Sequence, residues 1–262
     1  MPTRRIALAF MFAMAGPLFS VTGAQLAPLP VDTVHATSPQ AKHARFIVAP
    51  YGWMVGISGE TGVRDLSANL DISFSDLVRH LRFGLMGTAE GGYGRWLGIV
   101  DGVYASLGAQ RTLSRGRVQP ELDFTIKLLI AQAFAGYTVK PAPEVDVDLL
   151  AGSRLWAVRS TLDVATQAGS TERSKSPTWA DALAGARVRW RMTPDWQFTV
   201  SGDGGAGRSK ATGEGMAGLN YDLSTHWSLF GSFRYLYENY RKDDYFFAGH
   251  LSGPVIGGAY RW

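Results

Sequence analysis

Three features of the sequence predict an all-β fold, a closed antiparallel transmembrane β-barrel of about ten strands. Apolar and polar residues alternate with a period of two in segment after segment from Arg45 onward. The connections between segments are short on one side and longer and polar on the other. Tryptophan and tyrosine gather near the segment ends.

The alternation is clearest in three stretches. In "ELDFTIKLLIAQAF", Leu122, Phe124, Ile126, Leu128 and Ile130 share one face, and Glu121, Asp123, Thr125 and Lys127 share the other. In "VDVDLLAGSRLW", Val145, Val147, Leu149, Ala151 and Leu155 oppose Asp146, Asp148 and Arg154. In "HWSLFGSFRYLYENY", Trp227, Leu229, Phe233, Tyr235 and Tyr237 oppose Ser228, Ser232, Arg234 and Glu238. A face carrying full charges must meet water or opposite charges, because an unpaired buried charge costs several kcal/mol. The apolar face is therefore expected outside against hydrocarbon and the charged face inside.

Short connections at 93–95, 140–144, 193–195 and 224–226 contrast with longer ones at 59–80, 110–118 and 161–176. Short turns on one rim and long loops on the other mark an outer-membrane barrel. Trp96, Trp179, Trp190, Trp196, Trp227, Tyr240 and Trp262 lie near strand ends, where amphipathic rings form interfacial girdles.

Strands are expected near 45–58, 82–92, 95–109, 119–139, 145–160, 177–191, 196–208, 211–223, 226–240 and 246–262, ten in all, with eight or twelve as the alternatives. An even number returns the chain to the side it started from, and closure removes unpaired edges. A further strand in "VRDLSANLDIS" would, taken alone, break that parity. The first long connection also holds "SFSDLVRHL", a short helix with Ser73 and Asp76 as a capping-box pair. It is expected in the mouth as a partial plug or on the rim as a lid.

The chain opens on a secretory signal peptide. Arg4 and Arg5 precede an apolar run from Ile6 to Val21, and small residues place cleavage near Ala24. No later run reaches the about 18 apolar residues of a membrane helix. Residues 1–24 are thus the signal peptide, 25–43 a flexible periplasmic leader rich in Pro and polar groups, and 44–262 the barrel. Loss of Arg4 and Arg5 lowers the formal charge from +4 to +2, too little to attract nucleic acid. There are no cysteines to form disulfides in an oxidising compartment.

Alternation assigns a charged set to the lumen. Its acids are Glu90, Asp101, Asp123, Asp146, Asp148, Asp181, Asp203, Glu214 and Glu238. Its bases are Lys127, Arg154, Arg187, Arg189 and Arg234. These can pair across a narrow barrel or line a small polar conduit, and barrels of about eight strands are just filled by side chains whereas aqueous channels need about 16. The expected role is non-enzymatic: structural, or a narrow pore for small polar solutes.

No cofactor or metal is expected. The five histidines are scattered without ligand spacing, and "GEGMAG" and "GDGGAG" precede no helix that could cradle phosphate. One pair suggests chemistry: His250 and Ser252, two residues apart on one strand face, are similar to the His-x-Ser pair of outer-membrane lipid A deacylases. The alternative function is accordingly an outer-leaflet lipid A-modifying hydrolase. A serine needs a base and the base an orienting acid, yet nothing acidic follows Asp244, and Glu238 belongs to the opposite face.

The final strand, with Ile256, Gly258, Tyr260 and Trp262 in alternate positions, resembles the C-terminal assembly signal of bacterial outer-membrane barrels. Together with "LAGSRLW", "GARVRWRMTPDWQFTVSGDGGAG", "APYGWMVGISG" and "SFSDLVRHLRFGLMGTAE", it resembles an uncharacterised, porin-like bacterial outer-membrane β-barrel family over most of the chain. The resemblance implies outer-membrane location, and as partners outer-membrane lipid, lipopolysaccharide and the barrel insertion machinery. It implies no activity.

Overall fold

The computed structural model describes residues 44–63, 66–112, 121–166, 169–242 and 245–262. The expected signal peptide and leader lie outside the described residues. In chain order the elements are β1 (Ala44–Trp53), β2 (Gly56–Val63), β3 (Leu66–Ile72), α1 (Phe74–His80), β4 (Leu81–Tyr93), β5 (Trp96–Thr112) and β6 (Glu121–Ala142). There follow β7 (Val145–Thr166), β8 (Gly169–Lys175), β9 (Thr178–Arg191), β10 (Trp196–Gly207), β11 (Ala211–Asp222), β12 (Trp227–Lys242) and β13 (Tyr245–Arg261).

Ten strands close the barrel. The neighbours run β1-β4-β5-β6-β7-β9-β10-β11-β12-β13, all antiparallel, and β13 returns to β1 with Ile47 opposite Arg261 and Trp53 opposite Val255. Strands β2, β3 and β8 are appended beyond this ring. The stretch read as a strand that would break parity is β3, and it enters as one arm of a hairpin with β2, so parity survives.

The expected first strand, 45–58, is interrupted at Met54 and Val55. There β1 hands its place on β13 over to β2: Trp53 opposes Val255, and Gly56 opposes Ser252. Met54 N donates to Pro254 O at 2.8 Å across the break. A Cβ on Gly253 would run into the Met54 carbonyl, and Gly253 has φ +158°. The irregular crossing thus depends on a residue without a side chain.

On the short-turn side the hairpins are tight. Gly94, at φ +60°, adopts the left-handed conformation in the two-residue turn from β4 to β5. Thr193 Oγ1 accepts from Trp196 N at 3.0 Å and Ser224 Oγ from Trp227 N at 3.1 Å, closing the turns before β10 and β12.

Outer and inner faces separate as hydrocarbon solvation demands. Leu149 is 56% exposed on the outer wall and Phe233 54%, while Asp148 and Arg154 are fully buried inside. Trp96, Trp190, Trp196, Trp227 and Trp262 stand exposed at the short-turn end with Tyr93 and Tyr221. Ring contacts tie this girdle together: Trp96 to Tyr137 at 5.1 Å, Trp196 to Tyr221 at 4.8 Å and Trp227 to Tyr260 at 4.8 Å.

Two girdle assignments are corrected. Trp179 and Tyr240 lie inside the barrel, each 2% exposed and stacked on one another at 4.2 Å. Both sit on the loop side, where the lumen is filled by an apolar cluster of Trp53, Val103, Ile130, Trp156, Trp179, Leu236, Tyr240, Phe247, Leu251 and Val255. The helix α1 is on the rim, since none of its residues is buried. Ser73 caps it, donating to Asp76 Oδ2 at 2.6 Å and accepting from Asp76 N at 3.3 Å. The Ser73 hydroxyl holds the Asp76 carboxyl below its ordinary pKa.

Candidate functional site

The lumen is built in layers by residues two apart on long strands. Along β7 the inward positions are Asp146, Asp148, Leu150, Gly152, Arg154 and Trp156, and neighbouring strands contribute matching side chains at each level.

Nearest the short-turn end is a compact ion-pair layer. Arg187 of β9 bridges Glu90 of β4 at 2.7 Å and Asp148 of β7 at 2.8 Å. Arg189 reaches Asp148 at 3.0 Å and Asp146 at 3.9 Å, and Thr138 of β6 donates to Asp148 at 2.7 Å. Arg187 and Asp148 lie directly opposite in the β7–β9 register, so the charge pattern and the strand register specify the same alignment.

Further up, a second layer crosses the whole barrel. Asp203 and Glu214 are directly opposed on β10 and β11, a like-charge pair that would be repulsive alone. Arg154 of β7, two strands round the wall from β10, resolves it, contacting both Asp203 oxygens at 2.8 and 3.0 Å and Glu214 Oε2 at 3.3 Å. Its remaining donors go to Gln132 Oε1 at 2.7 Å and Thr212 Oγ1 at 2.8 Å. Arg234 of β12 joins the same cluster through Glu214 at 2.8 Å and Asp101 at 3.0 Å, and donates to the Tyr51 hydroxyl at 2.9 Å. Tyr51 in turn donates to Asp101 at 2.7 Å. The guanidinium of Arg234 lies 4.8 Å from the Trp53 ring centroid, against the aromatic layer above.

The third layer is aromatic. Trp156 stacks on Trp179 at 5.7 Å with 6° between planes, and Phe247 approaches Trp156 at 6.1 Å. Trp179 Nε1 donates to Glu238 Oε1 at 3.0 Å. Asp181 Oδ1 accepts from Ser209 N at 2.8 Å.

Between the two polar layers is a cavity of about 200 Å³. Its walls are mostly apolar, with Ile99, Phe134, Leu150, Met216 and Phe230 beside Thr88 and Ser201, and its ends are the charged side chains of each layer. Sequence reasoning missed this chamber, because period-two alternation places a residue inside or outside but says nothing of how much of the section it fills.

The structure brings Glu90, Asp101, Asp146, Asp148, Arg154, Asp181, Arg187, Arg189, Asp203, Glu214, Arg234 and Glu238 to the inner face. Lys127 is a correction. It is exposed on the outer wall, opposite exposed Arg159, while Leu128 and buried Ile130 point inward. On the loop side the interior is the aromatic layer, so there the apolar face of β6 turns in. The side chain of Asp123 lies outside the described residues.

His250 and Ser252 face outward, as expected. The His250 ring stacks on Tyr235 at 4.9 Å. Glu238 is fully buried on the other side of the wall. Asp71 of β3 shares the His250 row, with Ser58 of β2 between them. Two strand spacings amount to about 9–10 Å, beyond hydrogen-bond reach. No hydrogen bond joins His250, Ser252 and a carboxylate among the described residues. On the final strand, Ile256 is exposed, and Trp262 packs on Phe46 at 5.4 Å and Tyr260 at 4.6 Å. Gly258 faces Leu229 across β12. Among the described residues no group of three His, Cys, Asp or Glu side chains could hold a metal ion.

No protein family and no curated protein matches the sequence. Among solved structures, the chain is similar to the outer membrane protease OmpT of Escherichia coli, with a TM-score of 0.51 and 9% identity over 85% of this chain and 98% of that one. Weaker likenesses are to the translocator domain of autotransporter NalP from Neisseria meningitidis (TM-score 0.42, 12% identity, 86% and 90% covered) and to Ail of Yersinia pestis (TM-score 0.36, 13% identity, 84% and 98% covered). At such identity the likeness to OmpT concerns the fold and carries no proteolytic activity over. With its apolar outer wall, aromatic girdle and enclosed charges, the chain has the closed antiparallel fold of an outer-membrane β-barrel.

Proposed function

We propose that the protein is an occluded barrel of structural kind and not an open pore for small polar solutes. The observation that carries this is the stack of layers across the lumen. A solute would have to break the Arg187 bridges, the Arg154–Arg234 cluster and the Trp156–Trp179 stack in succession. Ten strands enclose little more section than the about eight whose interior side chains fill, and here long arginine and tryptophan side chains occupy it.

Planar bilayers test the reading. The purified, refolded barrel should give no conductance steps above the bare bilayer in either monovalent or divalent salt. Reproducible steps in the unsubstituted protein would establish the pore instead.

A further inference from the structure

We infer that the chamber between the two ion-pair layers is a binding site for a small organic amine that carries a hydroxyl or amide at its other end. The site does not require the barrel to conduct. Three properties of the chamber lead to it.

The first is charge. In the layer on the loop side of the chamber, Asp101, Asp203 and Glu214 meet only Arg154 and Arg234. From the other layer only Glu90 and Arg187 line the chamber, a matched pair, while Asp146, which Arg189 reaches at 3.9 Å, lies outside the lining. One carboxylate is therefore in excess, on the loop-side layer. A low-dielectric enclosure focuses that charge on whatever occupies the space between the layers. A single ammonium group would neutralise it.

The second is the supply of hydrogen-bonding atoms. Gln132, Arg154 and Arg234 all donate to Oε2 of Glu214, which leaves Oε1 without one of these bonds on the chamber wall. At the opposite end, Glu90 Oε1 and Arg187 Nη2 are buried and unpartnered. Buried polar atoms in a native protein find a partner in nearly all cases. An acceptor and a donor left over on one bridged pair suit a group that both donates and accepts, such as a hydroxyl or an amide.

The third is shape. Ile99, Phe134, Leu150, Met216 and Phe230 make the side walls mostly apolar, with Thr88 and Ser201 among them. At about 30 Å³ per water, a volume of 200 Å³ has room for six or seven waters, or for one short hydrocarbon chain with polar ends. An apolar wall holds water poorly and a methylene chain well. The short-turn side is the less closed end, since Asp146 there is 30% exposed and only the Arg187 layer separates it from the chamber, whereas the aromatic layer on the loop side is buried.

The probe is 5-aminopentan-1-ol, compared with the isosteric pentane-1,5-diol and 5-hydroxypentanoate. Binding is read by equilibrium dialysis of the full barrel in an uncharged detergent, with the probe added either after folding or during refolding. The second arm removes any kinetic barrier to access. The expected result is saturable binding of about one amino alcohol per barrel, with the diol and the carboxylate at least tenfold weaker. Glu214→Gln, which removes the excess charge and keeps an acceptor for both arginines, should weaken amine binding at least tenfold. Leu150→Trp, which fills the chamber and leaves the ion pairs intact, should abolish it. The inference is overturned by equal binding of the diol, by amine binding unchanged in Leu150→Trp, or by absence of amine binding in both arms. None of these outcomes depends on whether the barrel conducts.

Discussion

Arg154 shows what a single residue does in this lumen. Its guanidinium is fully buried and donates to Gln132, Thr212, Asp203 and Glu214, so side chains from three other strands converge on one planar fork. Removing it leaves Asp203, without its ion-pair partner, directly opposite Glu214, which keeps Arg234. Breaking a buried ion pair by removing one partner typically costs about 3–5 kcal/mol. Arg154→Ala should accordingly lower the unfolding free energy by about that amount, measured by denaturant titration in lipid vesicles. Arg154→Lys should recover less than half of the loss, because one ammonium cannot address donors in several directions at once. Full recovery by lysine would mean that bulk charge, and not the fork, holds the cluster. Sequence reading places Arg154 inside by its parity with Asp146 and Asp148. It does not reveal its partners, which lie 49 and 60 residues away.

The strands were legible because each repeats one rule over ten or more residues. Alternation fixes parity along a strand, and short polar turns fix where it stops, so eight of the ten barrel strands fall within three residues of the expected bounds, while β1 ends five residues early and β7 runs six residues further. Parity does not decide which face is inside. Lys127, Trp179 and Tyr240 were misplaced for one reason: the interior is charged on the short-turn side and aromatic on the loop side, so the outward face of a strand changes character midway. The handover from β1 to β2 was also illegible, since its cause is a close backbone approach between Gly253 and Met54. Gly253→Ala forces a Cβ against the Met54 carbonyl and the Val55 Cα, whereas a Cβ on Gly102 would meet nothing within 4 Å. Gly253→Ala should therefore destabilise the barrel and raise amide hydrogen exchange in β1, β2 and β13. Gly102→Ala should stay within about 0.5 kcal/mol of the parent. Equal tolerance of both would show that the β1–β2 break relaxes freely.

At the scale of the molecule, the barrel is closed several times in series. Series barriers do not share their load: taking away one leaves the resistance of the others in place. Trp156→Ala with Trp179→Ala opens the aromatic layer, yet the Arg234 cluster and the Arg187 bridges still cross the section below it. Arg154→Ala loosens the middle layer, yet the aromatic stack above it is untouched. Each of these variants should remain silent in planar bilayers, and so should their combination while the Arg187 bridges stand; only the combined variant that also carries Arg187→Ala should conduct. The current should then be carried by cations, because the loop-side ion-pair layer already holds one carboxylate more than it has arginines, and Arg154→Ala increases that excess. Reversal potentials under a salt gradient read the selectivity. Conduction by the tryptophan variant alone would make the aromatic layer the single barrier, and anion preference in the combined variant would contradict the charge count of the lumen.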